Sequence, residues 1–297
     1  MAAQPIVNSI NANEPEYHFD YNAAANVLEA DLEQPLREKI RPQAAVKLYR
    51  DGHYQYRQAD PFRFEGILSY KGGYTQVAGR PSTKIAGYST LSTSVVEGLN
   101  VLDVVTADRV VAQISTEHRR YAQVPSVTFL GTRFENLRID GRPVEFERDL
   151  EILGPRREDD TSYFDDDKVQ SRVRRQQETI TKHLPEWATE EYGNGRSAIN
   201  GKEAADVMKC SLIDGIRGCP GFSFGHVIDL PEFGKIFLGE LSVERTPGDP
   251  AEGTSDKYRF RLTMIRLKMG CLADGTANVS TADSNGTGSQ GGNKGGH

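Results

Sequence analysis

The sequence predicts a mainly β protein, an antiparallel sandwich or a set of open, barrel-like sheets, with one amphipathic helical insertion and a disordered Gly/Ser/Asn-rich C-terminal tail. Three observations carry this. Apolar residues alternate with period two through most of the chain, one segment repeats its apolar residues at helical spacing, and the last stretch holds almost none.

Residues 1–43 read as an N-terminal arm or an edge strand, because Tyr17, Phe19 and Tyr21 alternate. Residues 44–150 form a first β region. In it Val46–Tyr49, Asp51-Gly52 and Tyr54–Tyr56 read as a hairpin, as do Phe134–Ile139, Asp140-Gly141 and Val144–Phe146, since Asp-Gly tolerates the positive φ of a tight turn. Leu99, Val101 and Val105 share one parity and Val110, Ala112 and Ile114 the other. A one-residue slip turns a strand inside out, so this stretch is two strands or one strand bent at a bulge.

Residues 151–200 comprise a charged loop and the helical insertion. From Asp165 to Leu184, Val169, Val173, Ile180 and Leu184 fall on one helical face, Asp165, Asp166 and Asp167 supply caps, and Pro185 ends the helix. Residues 201–274 form a second β region packing with the first. There Ile236 and Leu238 give way to Leu241 and Val243 across Gly239-Glu240, and Tyr258, Phe260, Leu262 and Met264 give way to Ile265, Leu267 and Met269. Two neighbouring strands that change phase together describe a bent hairpin with Gly239 at the bend. Residues 275–297 are rich in Ser, Thr, Asn and Gly, too polar to offset the entropy of ordering, and read as the disordered tail. The tail carries two glycosylation sequons, Asn278-Val279-Ser280 and Asn285-Gly286-Thr287, which matter only in a secretory pathway.

Composition then limits function. The chain has 297 residues and a formal net charge of −6, with 42 acids against 36 bases, which disfavours nucleic-acid binding by counterion release. Its longest apolar run, near Val101–Ile114, is broken by Asp103, Asp108 and Arg109, so no membrane span is expected. The start of the sequence lacks a basic segment followed by an apolar one, which makes the cytoplasm the expected location. Cys210, Cys219 and Cys271 show no CxxC spacing and read as reduced structural thiols. The six histidines have no metal-ligand spacing, and GxSxG, Walker A and GxGxxG motifs are absent, so neither metal nor cofactor is expected.

Three sets of residues remain as candidates. Asp103 and Glu240 are acids placed within strands, the pattern of a carbohydrate-active or other hydrolytic enzyme with paired carboxylates on a concave sheet face. Tyr70, Tyr74, Phe222, Phe224 and His226 lie among glycines, where carbohydrate or peptide ligands are often held. Lys168, Arg172, Arg175 and Lys182 make a basic face on the helix. With no catalytic motif, the leading expectation is a non-catalytic binding or structural module that self-associates through β edges or the N-terminal arm, and the hydrolytic enzyme is the alternative.

Overall fold

Long β-branched and alternating segments need partners on both edges and an apolar surface on one face, and the computed structural model shows how this chain supplies them. It describes residues 17–290, apart from 51, 83–84, 121, 156–158, 185, 187–190, 192–195, 198–204, 249–255 and 271–272. From the amino end run β1 (Tyr17–Gln34), β2 (Glu38–Ile40), β3 (Val46–Arg50), β4 (His53–Ala59), β5 (Phe62–Phe64), β6 (Leu68–Tyr70), β7 (Gly72–Ser82), β8 (Gly87–Val101) and β9 (Val105–Arg119). Short strands β10 (Ser126–Thr128), β11 (Arg133–Glu135), β12 (Arg138–Ile139), β13 (Arg142–Pro143) and β14 (Glu145–Arg148) precede helix α1 (Asp167–His183). After it come β15 (Arg196–Ser197), β16 (Ala205–Ser211), β17 (Ile213–Arg217), β18 (Phe222–Phe224), β19 (Val227–Leu230), β20 (Gly234–Thr246), β21 (Lys257–Gly270) and β22 (Asp274–Gln290).

All the strand pairs are antiparallel, and the protein is mainly β with open sheets. The first sheet runs β15-β16-β20-β21-β22-β1-β2, with β3 beside β1 and the β18–β19 pair beside β20. The second runs β13-β12-β9-β8-β6-β5, with β10 and β11 on β9, β7 on β8, and β4 on β7. Strands β14 and β17 form a small separate pair. The two large sheets face one another over a core that includes Leu28, Leu32, Val96, Ile114, Leu238, Phe260, Leu262 and Ile265. Each fully buried aliphatic side chain there contributes about 1.5–3 kcal/mol.

The phase changes seen in the sequence have one structural cause. Ladder pairing is interrupted on a single row, Gly239 in β20, Met264 in β21, Ser280 in β22 and Val27 in β1, while the register is the same on either side. On that row the inward face switches parity in every strand, from Ile236 and Leu238 to Leu241 and Val243, and from Phe260 and Leu262 to Ile265 and Leu267. Gly239 has φ +63° and Ser280 φ +54°, the left-handed conformation that lets the strand turn over. The second sheet repeats the device at Gly98 and Asp108 between β8 and β9.

Hydroxyl groups join the two sheets near this row. Ser92 and Ser94 of β8 donate to the carbonyls of Ala24 and Asn26 of β1 at 2.6 and 2.7 Å. Ser280 accepts from the Ala112 N–H and donates to the Ser94 carbonyl, each at 3.0 Å. This seam divides the main core from a smaller one around Phe19, Tyr21, Leu48 and Val77. Tyr21 fits there because β7 carries glycine: a Cβ on Gly79 would lie 2.4 Å from its ring.

Four sequence expectations are corrected. The tail from Gly275 is instead strand β22 as far as Gln290, held between β1 and β21, with Ala277, Val279 and Ala282 buried; residues 291–297 lie outside the described residues. Composition misled because the strand meets closely approaching neighbours with small side chains, and two paired edges satisfy its backbone. The sequon residue Asn278 therefore sits within a sheet and donates to Glu29. Residues 17–34 are neither arm nor edge, since β1 is flanked by β22 on one side and by β2 and β3 on the other. The first hairpin does not form: β3 pairs with β1 and β4 with β7, so the strands on either side of the expected turn belong to different sheets, and Asp51 itself lies outside the described residues. The second is shorter than expected, with β12 and β13 joined through Asp140 and Gly141 while Phe146 joins β17.

Helix α1 matches its expectation closely. Asp166 caps it by accepting from the N–H groups of Lys168 and Val169, and Val169, Val173 and Ile180 are buried. The cap residue Leu184 closes it, and Pro185 lies outside the described residues. Among the described residues no helix is long and apolar enough to cross a membrane.

Candidate functional site

Strand β4 departs from the rule that one face of a strand is buried. His53 to Gln58 are all exposed, on both faces, and only Ala59 is buried. Among the described residues β4 is paired on one side, to β7, in the register His53↔Gly79 to Ala59↔Gly73. Its other edge presents backbone N–H and C=O groups. Tyr54 and Tyr56 are 61% and 48% exposed, large rings left on the surface.

These rings are held in place rather than loose. The Tyr56 hydroxyl donates to Gln58 Oε1 at 2.6 Å, and the Tyr54 hydroxyl to Gln76 Oε1 at 3.5 Å. Tyr56 stacks against the half-buried Tyr74 of β7, with ring centroids 5.7 Å apart and planes at 28°. Of the aromatic residues singled out from sequence, Tyr74 thus belongs to this surface. Tyr70 does not: it is buried and stacked on Phe62 at 5.6 Å. Alternation alone missed Tyr54 and Tyr56, because a strand with two exposed faces carries the same period as one with a buried face.

Glu240 and His226 lie elsewhere, on the face of the first sheet that α1 covers. Ile180 of the helix packs with Val227 and Phe237 there, and Phe224 stacks on His183 at 4.6 Å, while Phe222 is 63% exposed. Arg266 of β21 donates to both carboxylate oxygens of Glu240, Nε to Oε2 at 2.5 Å and Nη2 to Oε1 at 2.9 Å, and lies 3.8 Å above the Phe237 ring. The same guanidinium reaches Glu191 at 2.9 Å, and Glu191 also meets Lys268 at 2.9 Å and Lys209 at 3.5 Å. Burial works to raise the Glu191 pKa, but Arg266, Lys268 and Lys209 together hold it below the usual carboxylate range. His226 Nε2 is 4.0 Å from Glu240 Oε1. Burial, helped by Arg266, brings its pKa down to about 4 against the opposing pull of Glu240 and Asp214.

Asp103 is not drawn into this cluster. It is exposed in the turn between β8 and β9, where Leu102 and Asp103 both have positive φ, and its carboxylate accepts from Asn100 at 2.6 Å. The two acids marked for a hydrolytic pair are therefore each engaged locally, one in a turn and one with an arginine. The reading of Asp103 as an acid placed within a strand is corrected: its parity match with Leu99 and Val101 ends at the turn between β8 and β9.

The basic helix face is divided as well. Arg172 donates to the carbonyls of Glu151 and Ile152, Arg175 pairs with Asp214 at 3.0 Å, and Lys168 and Lys182 are exposed. Cys210 is buried, which pushes its thiol pKa up; Cys219 is half-buried; neither is in a disulfide, and Cys271 lies outside the described residues. Among the described residues no three His, Cys, Asp or Glu side chains come together as metal ligands. An open cleft of about 530 Å³ lies at the far end of β9, edged by Glu117, Arg119, Arg120 and Asp160.

No curated protein and no solved structure matches the chain. One family model does, over residues 19–244, from β1 into β20; strands β21 and β22, which fill the sheet between those two, follow the matched segment. That span is well over half of the 297 residues, and the chain therefore belongs to the family described as a domain of unknown function, DUF8256.

Proposed function

We propose that the chain is a non-catalytic, β-rich binding or structural module that self-associates through the free edge of β4. The single observation behind this reading is that His53–Gln58 are exposed on both faces while the strand is paired on one side. Such an edge is a template for another strand. Proteins that keep an edge unpaired commonly protect it with lysine, proline or a charge pointing inward. Residues 53–59 contain no lysine, proline or acid, and their one full charge is the exposed Arg57. Of the expected N-terminal arm, residues 17–34 form an interior strand with no free edge to offer, and residues 1–16 lie outside the described residues.

Light scattering of the full-length protein tests this. The expected result is an oligomer that Gln55→Lys converts to monomer, since antiparallel pairing of two copies near this position would bring like charges together. A monomeric full-length protein overturns the proposal, as does an oligomer that Gln55→Lys leaves intact.

A further inference from the structure

The outer face of the second sheet carries a field without charge. Three cross-strand rows start at Tyr54, Tyr56 and Gln58 on β4 and run in register over β7 and β8 to Ser115, Gln113 and Val111 on β9; no side chain in them is ionisable except the tyrosine hydroxyls. The rows on either side are charged, with Arg80 and Glu117 beyond one and the Glu97–Arg109 pair beyond the other. In a chain with 26% charged residues, this makes the field a bounded surface. Two rows of spacing, each two residues along a strand, span about 14 Å.

Its accessible part lies on β4 and β7, and its chemistry is of two kinds. Tyr54, Tyr56 and Tyr74 offer ring faces to C–H groups. Gln58 Oε1 accepts from Tyr56 at 2.6 Å and Gln76 Oε1 lies 3.5 Å from the Tyr54 hydroxyl, which leaves each amide its N–H pair to offer. Both kinds sit on paired strands, which fixes their positions better than a loop would.

We infer that this face binds a neutral saccharide chain, its C–H faces stacked on the tyrosines and its hydroxyls accepting from the glutamine amides. A phosphorylated or acidic sugar would find no cation among the three rows. A peptide adding as a strand would engage the outer edge of β4 through its backbone, and within the face itself the backbones of β4, β7, β8 and β9 are paired to one another, so the ring and amide surface is not what it would use. The inference concerns the face of β4 and is independent of what its edge does.

Electrophoresis in native gels containing xyloglucan, galactomannan, mixed-linkage β-glucan or soluble starch tests it, with polygalacturonate as the charged comparison. The full-length protein is expected to be retarded by at least one neutral polysaccharide, equally at low and high salt. Tyr54→Ala and Tyr56→Ala should each weaken that retardation about tenfold, the scale of one lost aromatic contact. Tyr54→Phe, which keeps the ring, and Gln55→Lys, which alters the other face, should retain it. Retardation in none of the neutral gels, retardation by polygalacturonate alone, or full retardation of both alanine variants overturns the inference.

Discussion

The Ser280 hydroxyl donates to the Ser94 carbonyl at 3.0 Å, from a residue whose φ of +54° is one that L side chains adopt at a cost. The same oxygen accepts from Ala112, so one side chain on the bend row fastens β22 to both β8 and β9. Ser280→Ala keeps the costly backbone and removes two hydrogen bonds to the Ser94–Ala112 pair of the opposite sheet, which retain each other in the β8–β9 ladder, and is expected to lose about 1–2 kcal/mol. Ser280→Gly relieves the backbone and should lose about 1 kcal/mol less. Urea unfolding of the parent and the two variants measures both effects; Ser280→Ala as stable as the parent would show that the hydroxyl bridge contributes nothing, and equal stability of the two variants that the backbone cost is not relieved.

Acid should loosen the fold before the carboxylates titrate. His118 and His226 are both buried, and burial lowers each pKa to about 4, against the ordinary value of 6.5. For His118 a hydrogen bond involving the Arg119 backbone and the charge of Asp160 oppose the shift without overcoming it. Because the unfolded chain binds these protons first, the contribution is complete above about pH 6.5 and falls as pH drops from there toward 4, by about 1.4 kcal/mol per pH unit for each histidine. Urea midpoints taken between pH 7 and pH 5 should decline, and less steeply in His118→Phe. A flat profile over that range contradicts the assignment.

Gln176 is the polar member of the buried face of α1. Its amide donates to the Ser211 carbonyl at 3.1 Å and accepts from the Ser211 N–H at 3.0 Å, taking the place of a neighbouring strand. Gln176→Ala leaves both backbone groups buried and unmatched, a loss of about 2–4 kcal/mol. Hydrogen exchange at the Ser211 amide should accelerate with it; unchanged protection there would mean that the helix is held by its apolar contacts alone.

Arg266 sits between Glu240 and Glu191 with a 16% exposed side chain. Arg266→Met strips Glu240 of its arginine and leaves Glu191 with Lys268 and Lys209, and should cost about 2–4 kcal/mol, with Arg266→Lys recovering little because an ammonium cannot span Glu240 with two parallel bonds. The double variant Arg266→Met with Glu240→Met should be more stable than Arg266→Met alone. Thermal melts of the three decide it, and additive losses would remove the pairing from the account.

How much of this was legible in the sequence depended on how far apart the partners lie. The bend at Gly239, the parity switch at Met264 and the apolar stripe Val169, Val173, Ile180 are local patterns, and they appear where expected. The cluster around Arg266 is assembled from Glu191, Lys209, Glu240 and Lys268, positions with no common period. Gln176 interrupts an apolar stripe and so reads as a surface residue until Ser211 is seen beside it. Tyr54 and Tyr56 alternate as core residues do, and only the sheet order shows that β4 lies beyond the core.

Strand β22 gives the plainest test of that difference. A tail can be cut away, whereas an interior strand cannot. Truncation before Asp274 removes the partner of both β1 and β21 and is expected to abolish cooperative unfolding, read by circular dichroism and urea titration. A truncated protein with the parent's transition would restore the reading of this segment as dispensable.

The pairing of β1 with β22 also sets an order of events during synthesis. Tyr17 to Gln34 emerge from the ribosome well before the strand that closes one edge, which is not made until Asp274 to Gln290 have been added. Until then both β1 and β21 expose backbone that another chain can engage, and loop closure across most of the polypeptide must precede the gain. Between the synthesis of β1 and that of β22 the nascent protein therefore holds the first sheet split in two, a period in which chaperone holding, more than final stability, governs how much reaches the folded state.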